Sequence, residues 1–431
     1  MSATPAAPPE ADPEADPEAD PEALSGPLRG IRVLDLSRVL AGPFCMQNLG
    51  DLGADIVKIE RPGVGDESRH WGPPFLADAQ GQPTKESAYF LSANRNKRSV
   101  AIDLTRPEGQ ALVRQLAAQA DICIENFKVG DLARYGLDYA ALSQINPKLI
   151  YCSVTGFGQD GPWAERPGYD YLFQGLGGLM SVTGERDDRP GGGPQRVGVP
   201  VVDLFTGMYA TVAILAALRH RDLSGEGQCL DISLMGAVMT MCSGHLSNYM
   251  VSGKMPARTG NVSPSIMPYG VFPCTDGPMI VASANQGQFK AFCKVLGHPE
   301  WADDPRFISN GARLENQAVL NPLFASVTVQ RSRAEWDVLL LAAGVPSGPI
   351  NDFGQALAHP QVQHLATRMA LPHALGVDAP GIASPMRFSK SPVSYRRPPP
   401  MLGQHTCEVL GELGLDAAAI AALAQAGVIG V

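Results

Sequence analysis

Asp203 is the residue in this sequence best placed to do chemistry. It follows the proline-bounded run Val199-Pro200-Val201-Val202 and opens a long apolar stretch, Leu204 to Leu218, that ends in Arg219-His220-Arg221. That order predicts a helix with a carboxylate at its N-terminal end, where the aligned backbone dipoles favour an anion, and with cations at its C-terminal end. A carboxylate so placed can attack an activated carbonyl and carry the acyl group covalently. It can equally be a plain helix cap, because aspartate is a favoured N-cap residue. Position alone leaves both roles open.

Other chemistries find no comparable pattern. The eight histidines form no H-x-H or H-E-x-x-H spacing, and the eight cysteines form no C-x-x-C pair, so neither a metal site nor a disulfide framework is expected. Several cysteines fall inside apolar runs and read as reduced core thiols of a cytoplasmic protein. The triple glycine Gly191 to Gly193 follows a charged loop instead of a strand. The first strand leads into SRVLAGPF, with one glycine where a dinucleotide fingerprint needs three, which argues against a nicotinamide enzyme.

The elements that must position Asp203 read as alternating strands and helices. Strands are expected at Ile31 to Leu36, Asp55 to Glu60, Ser99 to Leu104, Asp121 to Phe127, Leu149 to Val154 and Gln228 to Leu234. Helices are expected at Gly42 to Gly53 and Pro107 to Gln119. This is an α/β pattern, a Rossmann-like large domain with a mainly parallel sheet, and its ligands should lie at the carboxyl ends of the strands. Large-domain residues are expected over 26–224 and 346–431, with a smaller α+β domain over 225–345 that includes a hairpin from Tyr269 to Ala284. The apolar run after Asp203 lasts to Leu218, short of the ~20 residues that span a bilayer, and reads as a buried helix.

The formal charge is −9, but residues 1–23 hold seven carboxylates and no lysine or arginine, so the remainder stands near neutrality. Nothing basic enough for a nucleic-acid footprint remains. The acidic, proline-rich ADPE repeat of residues 1–25 is expected to be disordered and lacks the features of a secretory or mitochondrial leader.

Several segments taken together carry a resemblance. LRGIRVLDLSRVLAGPFCMQNLGDLGADIVKIERPGVGDESR (28–69), NRNKRSVAIDL (94–104), IENFKVG (124–130), RPGYDYLFQGLGGLMSVTG (166–184) and VVDLFTGMYATVAILAALRHRDLSGEGQ (201–228) are similar in order and spacing to the class III coenzyme A transferases. The resemblance implies a Rossmann-like domain built from both ends of the chain, a small domain, and an interlocked, ring-like homodimer with active sites at its interface. It implies coenzyme A and acyl-CoA as substrates, with no permanently bound cofactor. Asp203 matches the family's nucleophile, which passes through an acyl-aspartyl anhydride and an aspartyl-CoA thioester. CoA contacts carry over to Val39, Leu40, Ala41, Arg61, Ile102, Asn126, Phe127, Lys128, Arg134, Arg166, Tyr169 and Asp170.

The segments WGPPF (71–75), SIMPYGVF (265–272) and RPPPMLGQHT (397–406) look closest to members acting on dicarboxylates. They imply succinyl-CoA as donor and a dicarboxylate such as glutarate as acceptor. A distal carboxylate calls for a cation, with Arg69, Arg95 and Arg258 as candidates. A racemase-type isomerase or a non-catalytic CoA-binding relative is the alternative. The racemases use a histidine in G-H-D where this chain has Gly168-Tyr169-Asp170, and a tyrosine of pKa ~10 is a poor base at neutral pH. Two positions depart from the transferase pattern: the loop Thr259 to Ser265 holds a single glycine, and Leu40 replaces a glutamine.

Overall fold

The computed structural model describes residues 26–431, so the acidic repeat expected to be disordered lies outside the described residues. The chain is a mixed α/β protein that divides into two compact units. The first takes the chain up to Pro167 together with Asp203–Ala237 and Thr367–Val431; the second takes Gly168–Val202 and Val238–Ala366. The second unit thus contains most of the span expected for the small domain. It adds 168–202 and 346–366, while 225–237 falls in the first unit.

The first unit is built on a seven-stranded sheet. Its strands are β1 (Arg32–Asp35), β2 (Asp55–Glu60), β3 (Lys97–Ile102), β4 (Ile122–Glu125), β5 (Ile150–Thr155), β6 (Gln228–Ser233) and β7 (Ile429–Gly430), in the order β7-β3-β2-β1-β4-β5-β6. All pairs are parallel except β7 against β3, where Ile429 faces Ile102. Strands β3 and β5 are buried along their whole length, as expected of parallel strands covered on both faces. On one side of the sheet Leu34, Val57, Val100, Val113, Leu142 and Tyr151 share a core with Val409, Leu410, Ile420 and Val428 from the far end of the chain. The C-terminal residues are therefore part of the large core.

Helix boundaries follow their sequence signals closely. The helix Pro107–Gln119 starts at its proline, whose missing N–H costs nothing in the first turn. The Asp203 helix runs Val201–Ser224, 24 residues, longer than the apolar run to Leu218 suggested. The charged residues Arg219 to Asp222 extend it by a turn and a half. By length and composition it passes as a membrane span, yet half of its most apolar window is buried inside the protein. Asp203 lies inside its first turn and is not the cap.

The second unit has its own core, with Phe272, Phe292 and Phe324 in mutual edge and tilted contacts 5.0–6.1 Å apart. The expected hairpin is present as Tyr269–Cys274 paired antiparallel with Gly277–Ala282, and Ser347–Pro349 adds a third strand.

Candidate functional site

The site is built from the turn that joins β1 to the helix Ala41–Asp51, here α1. Asp35 ends β1 fully buried, and its Oδ1 accepts from the Ser37 amide at 2.9 Å and the Ser37 hydroxyl at 2.5 Å. Leu36 continues the ladder to Ile124. The chain then turns sharply through Val39, which holds φ 71°. For a β-branched residue this is a strained conformation costing about 1–3 kcal/mol. Leu40 precedes the helix without a side-chain cap, so the first backbone amides of α1 carry no side-chain acceptor from that residue.

Two glycines make the local geometry possible. At Gly42 a Cβ would stand 2.3 Å from the Ser37 Cβ, so the turn folds back over the helix start only with glycine there. At Gly207 a Cβ would stand 2.6 Å from the Ala41 carbonyl oxygen, so the Val201–Ser224 helix lies with its backbone directly against the first turn of α1. Asp203 is four residues before Gly207 and shares its face. Its side chain is 8 % exposed. A buried carboxylate in the first turn of its helix thus lies one turn before the point where that helix meets the start of α1.

A cleft of about 310 Å³ opens at the carboxyl ends of β1 to β4, lined among others by Leu36, Arg38, Arg61, Ile102, Phe127 and Tyr135. This is the position at which ligands of open parallel sheets bind. The structure thus brings Arg61, Ile102 and Phe127 together, with Asn126 and the turn Val39-Leu40-Ala41 adjoining. Arg61 is exposed. Arg38 was not singled out from sequence. Its guanidinium lies 4.6 Å from the Phe127 ring centre and pairs with Glu67 at 2.5 Å, while its Nε has no partner. The Asn126 side chain accepts from the Arg38 amide at 2.8 Å and donates to its carbonyl at 2.7 Å, so it braces the turn.

Lys128 lines a neighbouring cleft of about 380 Å³ with Glu125, Ser153 and Gln159. There burial pushes the Glu125 carboxyl up to about 7, against hydrogen bonds from Ser153 and from the Phe127 amide. Arg134 lies in the chain between Ala133 and Tyr135, which line these two clefts, and is itself two-thirds exposed and paired with Asp131 at 2.6 Å. The exposed Arg166 stacks on Trp163 at 4.1 Å.

The three arginines proposed for a distal carboxylate already have carboxylate partners. Arg69 is 4 % exposed and bonds Glu60 at 2.8 Å, Glu86 at 3.0 Å and the Pro400 carbonyl. Arg95 is 6 % exposed, with both oxygens of Asp51 and the Ile382 carbonyl as acceptors. Arg258 belongs to the second unit, where it pairs with Asp187 and bonds the Ser181 carbonyl. Arg69 and Arg95, buried and held in this way, are part of the architecture, whereas Arg258 is half-buried and its Nε has no partner. The arginines were legible in the sequence as residue types; Asp51 and Asp187, the partners of Arg95 and Arg258, lie far away along the chain and were not.

Tyr169 and Asp170 also belong to the second unit. Tyr169 is 65 % exposed, whereas Asp170 is buried, accepting from Gln174 at 2.6 Å and from the Val202 amide at 2.7 Å. Among the described residues no cluster of histidine, cysteine, aspartate and glutamate could hold a metal ion.

Comparison with known proteins agrees with this architecture. The chain is 46% identical over 387 residues to the succinate–glutarate CoA-transferase of Agrobacterium fabrum, covering 90% of this chain and 96% of that one. It is 41% identical to the human succinyl-CoA:glutarate CoA-transferase, covering 94% and 90% of the two chains. A crystal structure of a CAIB/BAIF family protein from Brucella suis superposes with a TM-score of 0.81 at 43% identity, covering 90% of this chain and all of that one. The sequence model of CoA-transferase family III matches residues 28–406, and this chain belongs to that family of CoA-transferases.

Proposed function

We propose that this enzyme moves coenzyme A from succinyl-CoA to a free dicarboxylic acid such as glutarate, with Asp203 as the covalent nucleophile. The observation that carries the reading is the placement of Asp203, nearly buried in a helix turn whose Gly207 rests on the start of α1. The names of the relatives from Agrobacterium fabrum and Homo sapiens support the substrate pair.

The chemistry runs in balanced exchanges. The Asp203 carboxylate attacks the thioester carbonyl of the donor, the C–S bond breaks, and CoA leaves as a thiolate. The thiolate then attacks the aspartyl carbonyl of the resulting anhydride, which frees the donor acid and leaves an aspartyl-CoA thioester. The acceptor carboxylate attacks that thioester, and the released thiolate takes the new acyl group, restoring Asp203. Each activated bond is made at the expense of another. Arg38 and Arg61 supply planar donors for the CoA phosphates at the mouth of the cleft. Water must be kept from the anhydride, which suits a nearly buried nucleophile.

The strand order β3-β2-β1-β4-β5-β6 supports the Rossmann-like reading of the large domain, with the cleft at the point where the order reverses. An exposed apolar stripe on the Asp203 helix, through Met208, Tyr209, Val212, Leu215 and Leu223, supports burial of that helix against a second copy in an interlocked homodimer. Eight free thiols, six of them buried, support a reducing, cytoplasmic setting.

The test is to incubate the purified protein with succinyl-CoA and a panel of free acids and to identify new thioesters by mass spectrometry. Glutaryl-CoA formation is expected. Loss of succinyl-CoA to hydrolysis alone, with no acid accepting CoA, would contradict the reading.

A further inference from the structure

The turn between β1 and α1 is held by side chains at nearly every backbone polar group. The Ser37 amide is bonded by Asp35, the Ser37 carbonyl accepts from Lys58 Nζ at 2.7 Å, and Arg38 is gripped at both N–H and C=O by Asn126. The Val39 amide donates to the Asp66 carboxylate, 3.1 and 3.2 Å from its two oxygens. Lys58 and Asp66 are themselves paired at 3.0 Å with both side chains wholly buried. Asp66 also accepts from the Ser68 amide and hydroxyl, and its own amide donates to Glu60.

Taking a lysine and an aspartate out of water is costly, and such a pair is weak evidence of stabilisation by itself. Here both partners reach past each other into the same three residues. What they hold is a valine at φ 71°, a conformation that persists only where its surroundings over-determine it. A pair serving only the core would have no reason to bond the backbone of a strained turn. The turn in question sends Arg38 into the 310 Å³ cleft and Leu40 into the start of α1, on which Gly207 of the Asp203 helix rests.

We propose that Asp66, fixed by Lys58, is a positioning residue for coenzyme A, locking Val39 in its left-handed conformation so that acyl-CoA meets a turn already shaped to receive it. This rests on the reading of the cleft as the coenzyme A site. Asp66 touches no reacting atom; it removes a reorganisation that binding would otherwise have to drive.

The experiment measures CoA affinity by calorimetry and melting temperature in parallel, on the full chain. Asp66→Asn keeps the shape but removes the charge that holds Lys58; its CoA Kd is expected to rise about tenfold, with the KM for the acceptor acid unchanged. Glycine adopts positive φ without strain, so adding Val39→Gly to Asp66→Asn should bring the Kd back to within about threefold of wild type. A lowered melting temperature with unchanged Kd would overturn the proposal, and so would a double variant as weak as the single one. Should Asp66→Asn fail to fold, Asn126→Ala releases the same turn from a half-buried position. It should weaken CoA with little change in melting temperature, and an unchanged Kd there overturns the proposal too. Wild-type protein that binds no CoA would overturn the cleft reading and this proposal together, whereas wild type and Asp66→Asn binding equally well would overturn this proposal alone.

Discussion

Arg61 and Arg69 are eight residues apart and chemically identical, yet the structure gives them opposite surroundings. Arg61 is exposed at the mouth of the cleft, while Arg69 is locked between Glu60 and Glu86. Arg61→Ala should raise the KM for the CoA donor about tenfold through loss of charge-assisted hydrogen bonds, and leave the melting temperature nearly unchanged. Arg69→Ala should instead destabilise the fold by about 3–5 kcal/mol, because two buried carboxylates lose their cation. Steady-state kinetics beside denaturant unfolding separate the two, and a selective KM effect for Arg69→Ala would contradict this assignment. Sequence spacing could not make the distinction. Glu60 is near Arg69 in the chain, but Asp51 is far from Arg95 and Asp187 far from Arg258. The position of Asp203 in the first turn of a helix was legible because its signal is local, a single carboxylate heading a long apolar run.

At the scale of elements, the first six strands of the large sheet and the helix Pro107–Gln119 were legible to within a few residues because each has its own period and punctuation, whereas the strand pairs Phe75–Ala77 with Pro83–Ser87 and Arg368–Pro372 with Asp378–Ile382 were not. The closing strand β7, two residues long, was not, since it carries no pattern of its own and exists through β3. Gly207 was visible as a glycine inside an apolar helix, and its reason appears only when α1 is laid against it. Gly207→Ala should push the two helices apart and lower kcat more than CoA affinity, as the displaced group is Asp203 and not the cleft. Equal loss of both, measured by turnover and calorimetry, would show that the contact matters only for folding.

The end of β4 makes a separate prediction. Glu125 is 6 % exposed, and its folded pKa of about 7 lies above the ordinary glutamate value near ~4.3. The folded state therefore binds this proton more tightly than the unfolded state does. Its contribution to stability is complete below the unfolded value and lost as pH rises through 7. Melting temperature should fall between pH 5 and pH 8 and level off above. Glu125→Gln, with its carbonyl turned to the Phe127 amide, should flatten that fall; a variant with the wild-type slope would contradict the assignment.

For the whole molecule, the apolar stripe Met208, Tyr209, Val212, Leu215 and Leu223 predicts that the active form is a dimer. Sedimentation should give twice the chain mass at assay concentration, and Met208→Glu with Val212→Glu should yield monomer with little turnover. Fully active monomer would contradict the interface reading.

The account as a whole turns on whether residue 203 becomes covalently loaded. The most direct measurement is to quench the enzyme during turnover with succinyl-CoA, digest it, and weigh the peptide that carries Asp203. The account predicts a CoA thioester on that peptide which disappears on addition of glutarate, and a loss of about 10⁴-fold in kcat for Asp203→Asn free of deamidated protein. An unmodified peptide at residue 203 while CoA transfer proceeds, or an Asp203→Asn enzyme that still transfers, would contradict it.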